Sequence, residues 1–193
     1  MLNNVQRLPR TSRLLSVLAV TAVTLVGLSA CGGDDQPAAA DSSSESSDAD
    51  QARAAVDAGL KAHAADRLPR AAKRYEEALA LDPTNQYALY NMALIEEANG
   101  NYGLAEDHYR SALDTDDEYG PALFNLAILR TAADDPKEAI SLYERAVAVD
   151  KKDAAAWLNL GLLLREEGQE RAGNEDVLRA LALDSSLEDP AGR

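Results

Sequence analysis

The sequence predicts an all-α protein, a solenoid of four helix-turn-helix repeats, and three observations carry that expectation. From Ala52 the chain reads at a period of 34 without an insertion, in registers 52–85, 86–119, 120–153 and 154–187. Each register holds two segments of about 12 residues whose apolar positions recur at helical spacing. Small residues share columns: Gly59, Ala93, Ala127 and Gly161; Ala71, Ala105, Ala139 and Gly173; Ala78, Ala112, Ala146 and Ala180. Such columns are where two helix axes can approach, because a larger side chain would hold them apart.

Residues 1–30 precede the array and read as a secretory signal. Arg7, Arg10 and Arg13 stand before an uncharged, mostly apolar run from Leu14 to Ala30, and no acid interrupts them. A basic stretch, an apolar stretch and small residues before a cut are the parts of such a signal. The run also approaches the length of a membrane span, so a simple transmembrane anchor is the rival reading. Leu28-Ser29-Ala30-Cys31 resembles the lipobox of bacterial lipoproteins. That resemblance implies cleavage before Cys31, diacylglycerol on its thiol and acylation of its amine. Cys31 is the single cysteine of the chain, so an intramolecular disulfide is excluded. Several acyl chains anchor stably without any basic patch. An extracytoplasmic location at the bacterial cell envelope follows from the signal.

The segment after the cysteine, "GGDDQPAAADSSSESSDAD", has almost no large apolar side chain. It cannot offset its own ordering entropy, so residues 31–50 are expected to form a lipidated, disordered tether between membrane and domain.

The four repeats then follow, 51–187 overall. Their paired segments are separated by Asp66-Arg67-Leu68-Pro69, Gly100-Asn101, Asp134-Asp135-Pro136 and Gly168-Gln169, all breaker or turn residues. The turns between repeats, "LDPTN", "TDDEY", "VDKKD" and "LDSSL", align Asp82, Asp116, Asp150 and Asp184. Tyr75, Tyr109 and Tyr143 share a further column, where the last copy has Val177. One helix pair alone leaves apolar surface uncovered, and stacking covers it.

This pattern is similar to the tetratricopeptide repeat over residues 52 to 187. Asp82-Pro83 and "WLNLG", Trp157 to Gly161, are its nearest local matches. The resemblance implies a right-handed superhelix whose concave side is lined by the first helix of each pair. Three departures carry expectations. Ala55 stands where the fourth copy has Trp157, so the first helix should pack more loosely. Gly173 inside a helix should cost about 1 kcal/mol against Ala. The tail 188–193 is too short for a further solvating helix, which leaves the last helix to cap itself or to cover a partner, including a second copy.

Carried over by column, the resemblance places Val56, Tyr90, Phe124 and Leu158 on the concave side. One turn along lie Leu60, Leu94, Ile128 and Leu162. Asn91, Asn125 and Asn159 form a third column with Asp57, and Tyr87 stands beside Pro121 of the next copy. One reading makes the aliphatic columns packing between neighbouring first helices. The other makes them an apolar, aromatic-rimmed groove for an extended or helical segment of another protein. Aromatics bury much area at little entropic cost, and asparagine amides can pair with a ligand backbone. Some related domains clamp a terminal carboxylate with basic residues on this face; here those positions are apolar or aromatic.

Composition and spacing exclude other classes. A formal charge of −14 argues against nucleic acid, which needs a basic face. His63 and His108 are the two histidines and lie far apart, so neither a metal site nor any other cofactor is expected. No serine sits in a nucleophile elbow, and no glycine run resembles a phosphate loop. Asp114, Asp116, Asp117 and Glu118 lack the ligand spacing of a calcium loop and coincide with a repeat turn. The chain is therefore expected to be no enzyme. It is either a lipid-anchored module that recruits protein or peptide partners, or an accessory subunit packed permanently into an envelope complex.

Overall fold

The computed structural model describes residues 47–190; Cys31, the signal and most of the tether lie outside them. Eight helices follow in pairs: α1 (Asp48–Ala64) with α2 (Leu68–Leu81), α3 (Gln86–Ala98) with α4 (Tyr102–Thr115), α5 (Gly120–Ala132) with α6 (Pro136–Val149), and α7 (Ala154–Glu166) with α8 (Glu170–Leu183). Within a pair the helices pack most extensively, and each second helix also packs on the first helix of the next pair. The result is an all-α superhelix of four helix-turn-helix repeats. Helix α1 starts at Asp48, inside the segment read as tether, because Ser47 caps it by accepting from the Asp50 amide at 3.3 Å. Among the described residues no helix is long and apolar enough to cross a membrane.

The turns repeat as closely as the helices do. Asp66, Gly100, Asp134 and Gly168, one per repeat, have φ of 56°, 79°, 61° and 79°. Each follows a first helix and reverses the chain in a left-handed step. The next amide then reaches back to the helix, as Asn101 N–H does to the Glu96 carbonyl at 2.8 Å. Between repeats the aspartate column has one job. Asp82, Asp116, Asp150 and Asp184 each accept from the backbone N–H two residues on, at 2.8–3.2 Å. Asp116 is thus a turn residue, and among the described residues no group of His, Cys, Asp or Glu could hold a metal ion.

The core follows the small-residue columns. Ala71, Ala78, Ala93, Ala105, Ala112, Ala127, Ala139 and Ala180 are all fully buried, as are Tyr75 and Tyr109. Gly173 corrects the expectation of a weakened helix. A Cβ on Gly161 would meet the Gly173 carbonyl oxygen at 2.7 Å, and one on Gly173 would meet Arg165 Cγ at the same distance. The two glycines let the α7 and α8 backbones touch, and Val177 fills the narrowed gap that holds a tyrosine in the other repeats. The tail covers part of the last helix pair. Leu187 packs on the cluster of Leu158, Val177 and Ala180, and Asp189 bridges back to Arg165 at 2.7 Å.

One charge cluster has no counterpart in the sequence columns. Arg130 on α5 meets Glu106 of α4 at 3.0 Å, and Asp135 and Glu138 at 2.8 Å each. Arg110 joins Glu106 at 2.8 Å and Glu138 at 2.7 Å. The Arg130 side chain lies mostly covered, and its bonds raise its pKa while holding the Asp135 carboxyl below its ordinary value. Outward positions that look interchangeable by periodicity, Glu106 and Glu138, therefore tie three helices together.

Candidate functional site

The first helices α1, α3, α5 and α7 carry every residue that the columns assign to the concave side. Their burial is uneven. Val56 and Leu158, at the two ends of one column, are buried in core clusters, whereas Tyr90 and Phe124 between them are half-buried against the central core. In the next column Leu60 is exposed and Leu94, Ile128 and Leu162 are half-exposed. Tyr87, in the first turn of α3, is 54% exposed. The accessible strip thus runs through the middle of the array, over Tyr87, Tyr90, Leu94, Phe124 and Ile128.

The asparagines are committed inside the protein. Asn91 is buried, and its side-chain amide donates to the Tyr87 carbonyl one turn back, at 2.7 Å. Asn125 donates to the Tyr90 hydroxyl at 3.2 Å and also faces the Tyr109 hydroxyl. Asn159, with Thr131, reaches the Tyr143 hydroxyl. These contacts occupy part of each amide's hydrogen-bonding capacity. In two of the three joints an asparagine of one repeat lowers the pKa of the buried tyrosine of the repeat before, against the rise caused by burial. The joint between repeats 1 and 2 is the exception, since Asn91 bonds its own helix and the buried Tyr75 hydroxyl has no hydrogen-bond partner among the described residues.

Under Tyr90 lies the buried polar group of the site. The Tyr109 hydroxyl donates to the Glu97 carboxylate in a short bond. Burial pushes the Glu97 pKa up, against the lowering effect of that bond. Burial likewise raises Tyr90, opposed by the Asn125 bond and helped by the charge on Glu97. These bonds fix the rings before any ligand arrives. Phe124 is held similarly, edge-on to Tyr143 with centroids 6.0 Å apart.

Tyr119 belongs to the same surface and escapes the column reading. Its ring stands at 84° to Tyr87 and 89° to Tyr90, with centroids 5.9 Å and 5.4 Å away. It occupies the cap position of α5. Asn85 and Asp153 hold that register in the neighbouring repeats and cap their helices at 3.1 Å and 2.9 Å, but Tyr119 makes no side-chain cap. The available signal was an aromatic in a column of capping residues.

The tetratricopeptide repeat family matches twice, over residues 86–152 and over residues 124–187. No curated protein matches the sequence. Among solved structures, PilF of Pseudomonas aeruginosa is similar at 20% identity and a TM-score of 0.64, over 72% of this chain and 64% of that one. YrrB, described as a TPR protein with an unusual peptide-binding site, is similar at 24% identity and a TM-score of 0.62, over 68% of each chain. MamA of Desulfovibrio magneticus RS-1 gives 16% and 0.60, over 72% of this chain and 78% of that one. At these identities the likeness is one of fold.

Proposed function

The chain belongs to the tetratricopeptide repeat family, a fold of protein- and peptide-binding scaffolds, and from that premise we propose a lipid-anchored, extracytoplasmic interaction module. It holds a segment of a partner protein along its first helices and so recruits that partner at the cell envelope. The observation that carries this reading is the strip of Tyr87, Tyr90, Leu94, Phe124 and Ile128, partly open to solvent yet braced from below. Aromatic anchors on a rigid support need little further ordering on binding. The anchor rests on the sequence alone, through the basic start, the apolar run and Cys31.

A crosslinking screen in the native envelope, followed by titration of the captured partner, tests the module. Phe124→Ala should weaken binding by about 1 to 3 kcal/mol with folding unchanged by circular dichroism. Glu144→Ala, at an exposed position of α6, should leave it unaltered. Full affinity in a folded Tyr90→Ala, Phe124→Ala chain would remove the groove. Metabolic acyl labelling of Cys31→Ser tests the anchor: loss of label and of membrane sedimentation is expected, and retention of both would overturn it.

A second reading, a subunit packed permanently into a larger complex or onto a second copy, has its own observation. Leu178 and Leu183 on α8 remain 66% and 42% exposed. Concentration-dependent self-association, abolished by Leu178→Lys, would favour it.

A further inference from the structure

We propose that Tyr87, Tyr90 and Tyr119 form a receptor for one cationic side chain, lysine or arginine, of the bound segment. The inference rests on the groove reading above and names the chemistry that its centre selects.

Three rings converge there, two from α3 and one from the cap position of α5, and Tyr119 stands perpendicular to both of the others. Edge-to-face pairing aligns the positive rim of one ring with the negative face of another, and an exposed ring keeps π surface for a further positive group. Tyr87 is that ring, at 54% exposure.

Carboxylates flank the rings on two sides. Burial is the main cause of the raised Tyr90 and Tyr119 pKa values, and the charges of Glu97 near Tyr90 and Asp116 near Tyr119 add to it. Asp114, Asp117 and Glu118 continue the acidic turn that leads into Tyr119. A neutral apolar ligand would gain nothing from this field and an acidic one would be repelled. Arg145, beside this turn, donates to the Asp117 carbonyl at 2.6 Å. The chain stacks a cation on an aromatic elsewhere, with the Arg179 guanidinium 4.4 Å from the centre of the Trp157 ring.

The cost of placing Tyr119 points the same way. Its register supplies a helix cap in the repeats on either side, and this repeat forgoes the cap to put a ring against Tyr87 and Tyr90. Local rules are broken where a site requires it.

The test uses the full chain with 13C-labelled tyrosine rings, titrated with Nα-acetyl-arginine methylamide and with its neutral isostere Nα-acetyl-citrulline methylamide. Saturable shifts at Tyr87, Tyr90 and Tyr119 are expected with the arginine probe, and binding about fivefold weaker or worse with citrulline. Tyr119→Asn is the informative variant, because it restores the cap and keeps the fold while removing the ring. It should abolish the arginine response. Equal shifts with both probes, or an undiminished response in Tyr119→Asn, would overturn the proposal. The partner from the crosslinking screen separates the two readings. Binding that depends on Phe124 but ignores Tyr119→Asn leaves the groove and removes the cation receptor; binding that depends on neither residue removes both.

Discussion

Tyr75, Tyr109 and Tyr143 occupy one column and are almost wholly buried, yet their hydroxyls have different fates. Tyr109 donates to Glu97, Thr131 and Asn159 lower the Tyr143 pKa against its burial, and Tyr75 has no hydrogen-bond partner among the described residues. An unmade bond to a buried group is costly, so deleting a group that has none is cheap. Tyr109→Phe should therefore cost about 1 to 3 kcal/mol by stranding a carboxylate, whereas Tyr75→Phe should be neutral or stabilise by up to about 1 kcal/mol. Urea melts of the two variants measure the difference. Alkali gives a second readout. Burial raises the Tyr75 pKa from 10.0 to about 12, so the unfolded chain loses this proton first. Its contribution is present below pH 10 and is lost as the pH rises towards 12. Tyr75→Phe should flatten the stability profile across that window. An unchanged slope would mean that the hydroxyl is hydrated in the native state.

At the scale of the helices, the close approach of α7 and α8 makes one substitution change sign with position. Gly173→Ala should destabilise by roughly 1 to 3 kcal/mol, since its Cβ would press on the Gly161 carbonyl and on Arg165. Gly103→Ala in α4 meets nothing within 4 Å and should stabilise by about 0.5 kcal/mol. Equal effects in thermal melts would sink this account of the packing. The two glycines also mark how far the sequence was legible. Helix pairs, turns and small-residue columns could be read because each is a periodic property of one strand of sequence. The value of Gly173 could not, because propensity scores a residue within its own helix while the contact belongs to two. The Asn125 bond was hidden for the same reason, as its partner Tyr90 lies in the preceding repeat. Tyr119 looked like part of a polar turn. Glu106 and Glu138 looked like inert surface because their arginine partners follow no column.

For the whole array, cohesion is uneven along its length. One core cluster runs from Leu89 on α3 to Leu164 on α7, while a separate one joins the first repeat to α3. Repeat proteins add stability through neighbouring interfaces, so a terminal repeat with a single, smaller interface opens most readily. Native-state hydrogen exchange should find the amides of α1 exchanging on the order of tenfold faster than those of α5. Uniform protection from α1 to α8 would show one cooperative unit instead. The orphaned Tyr75 hydroxyl also has a mechanical meaning. The joint it faces lacks the asparagine that lowers the pKa of the buried tyrosine at the next two. A pulling force entering from the N-terminal side meets this joint before any other. Under such a force the first helix pair should yield first, as a sacrificial link ahead of the helices that carry Tyr90 and Phe124.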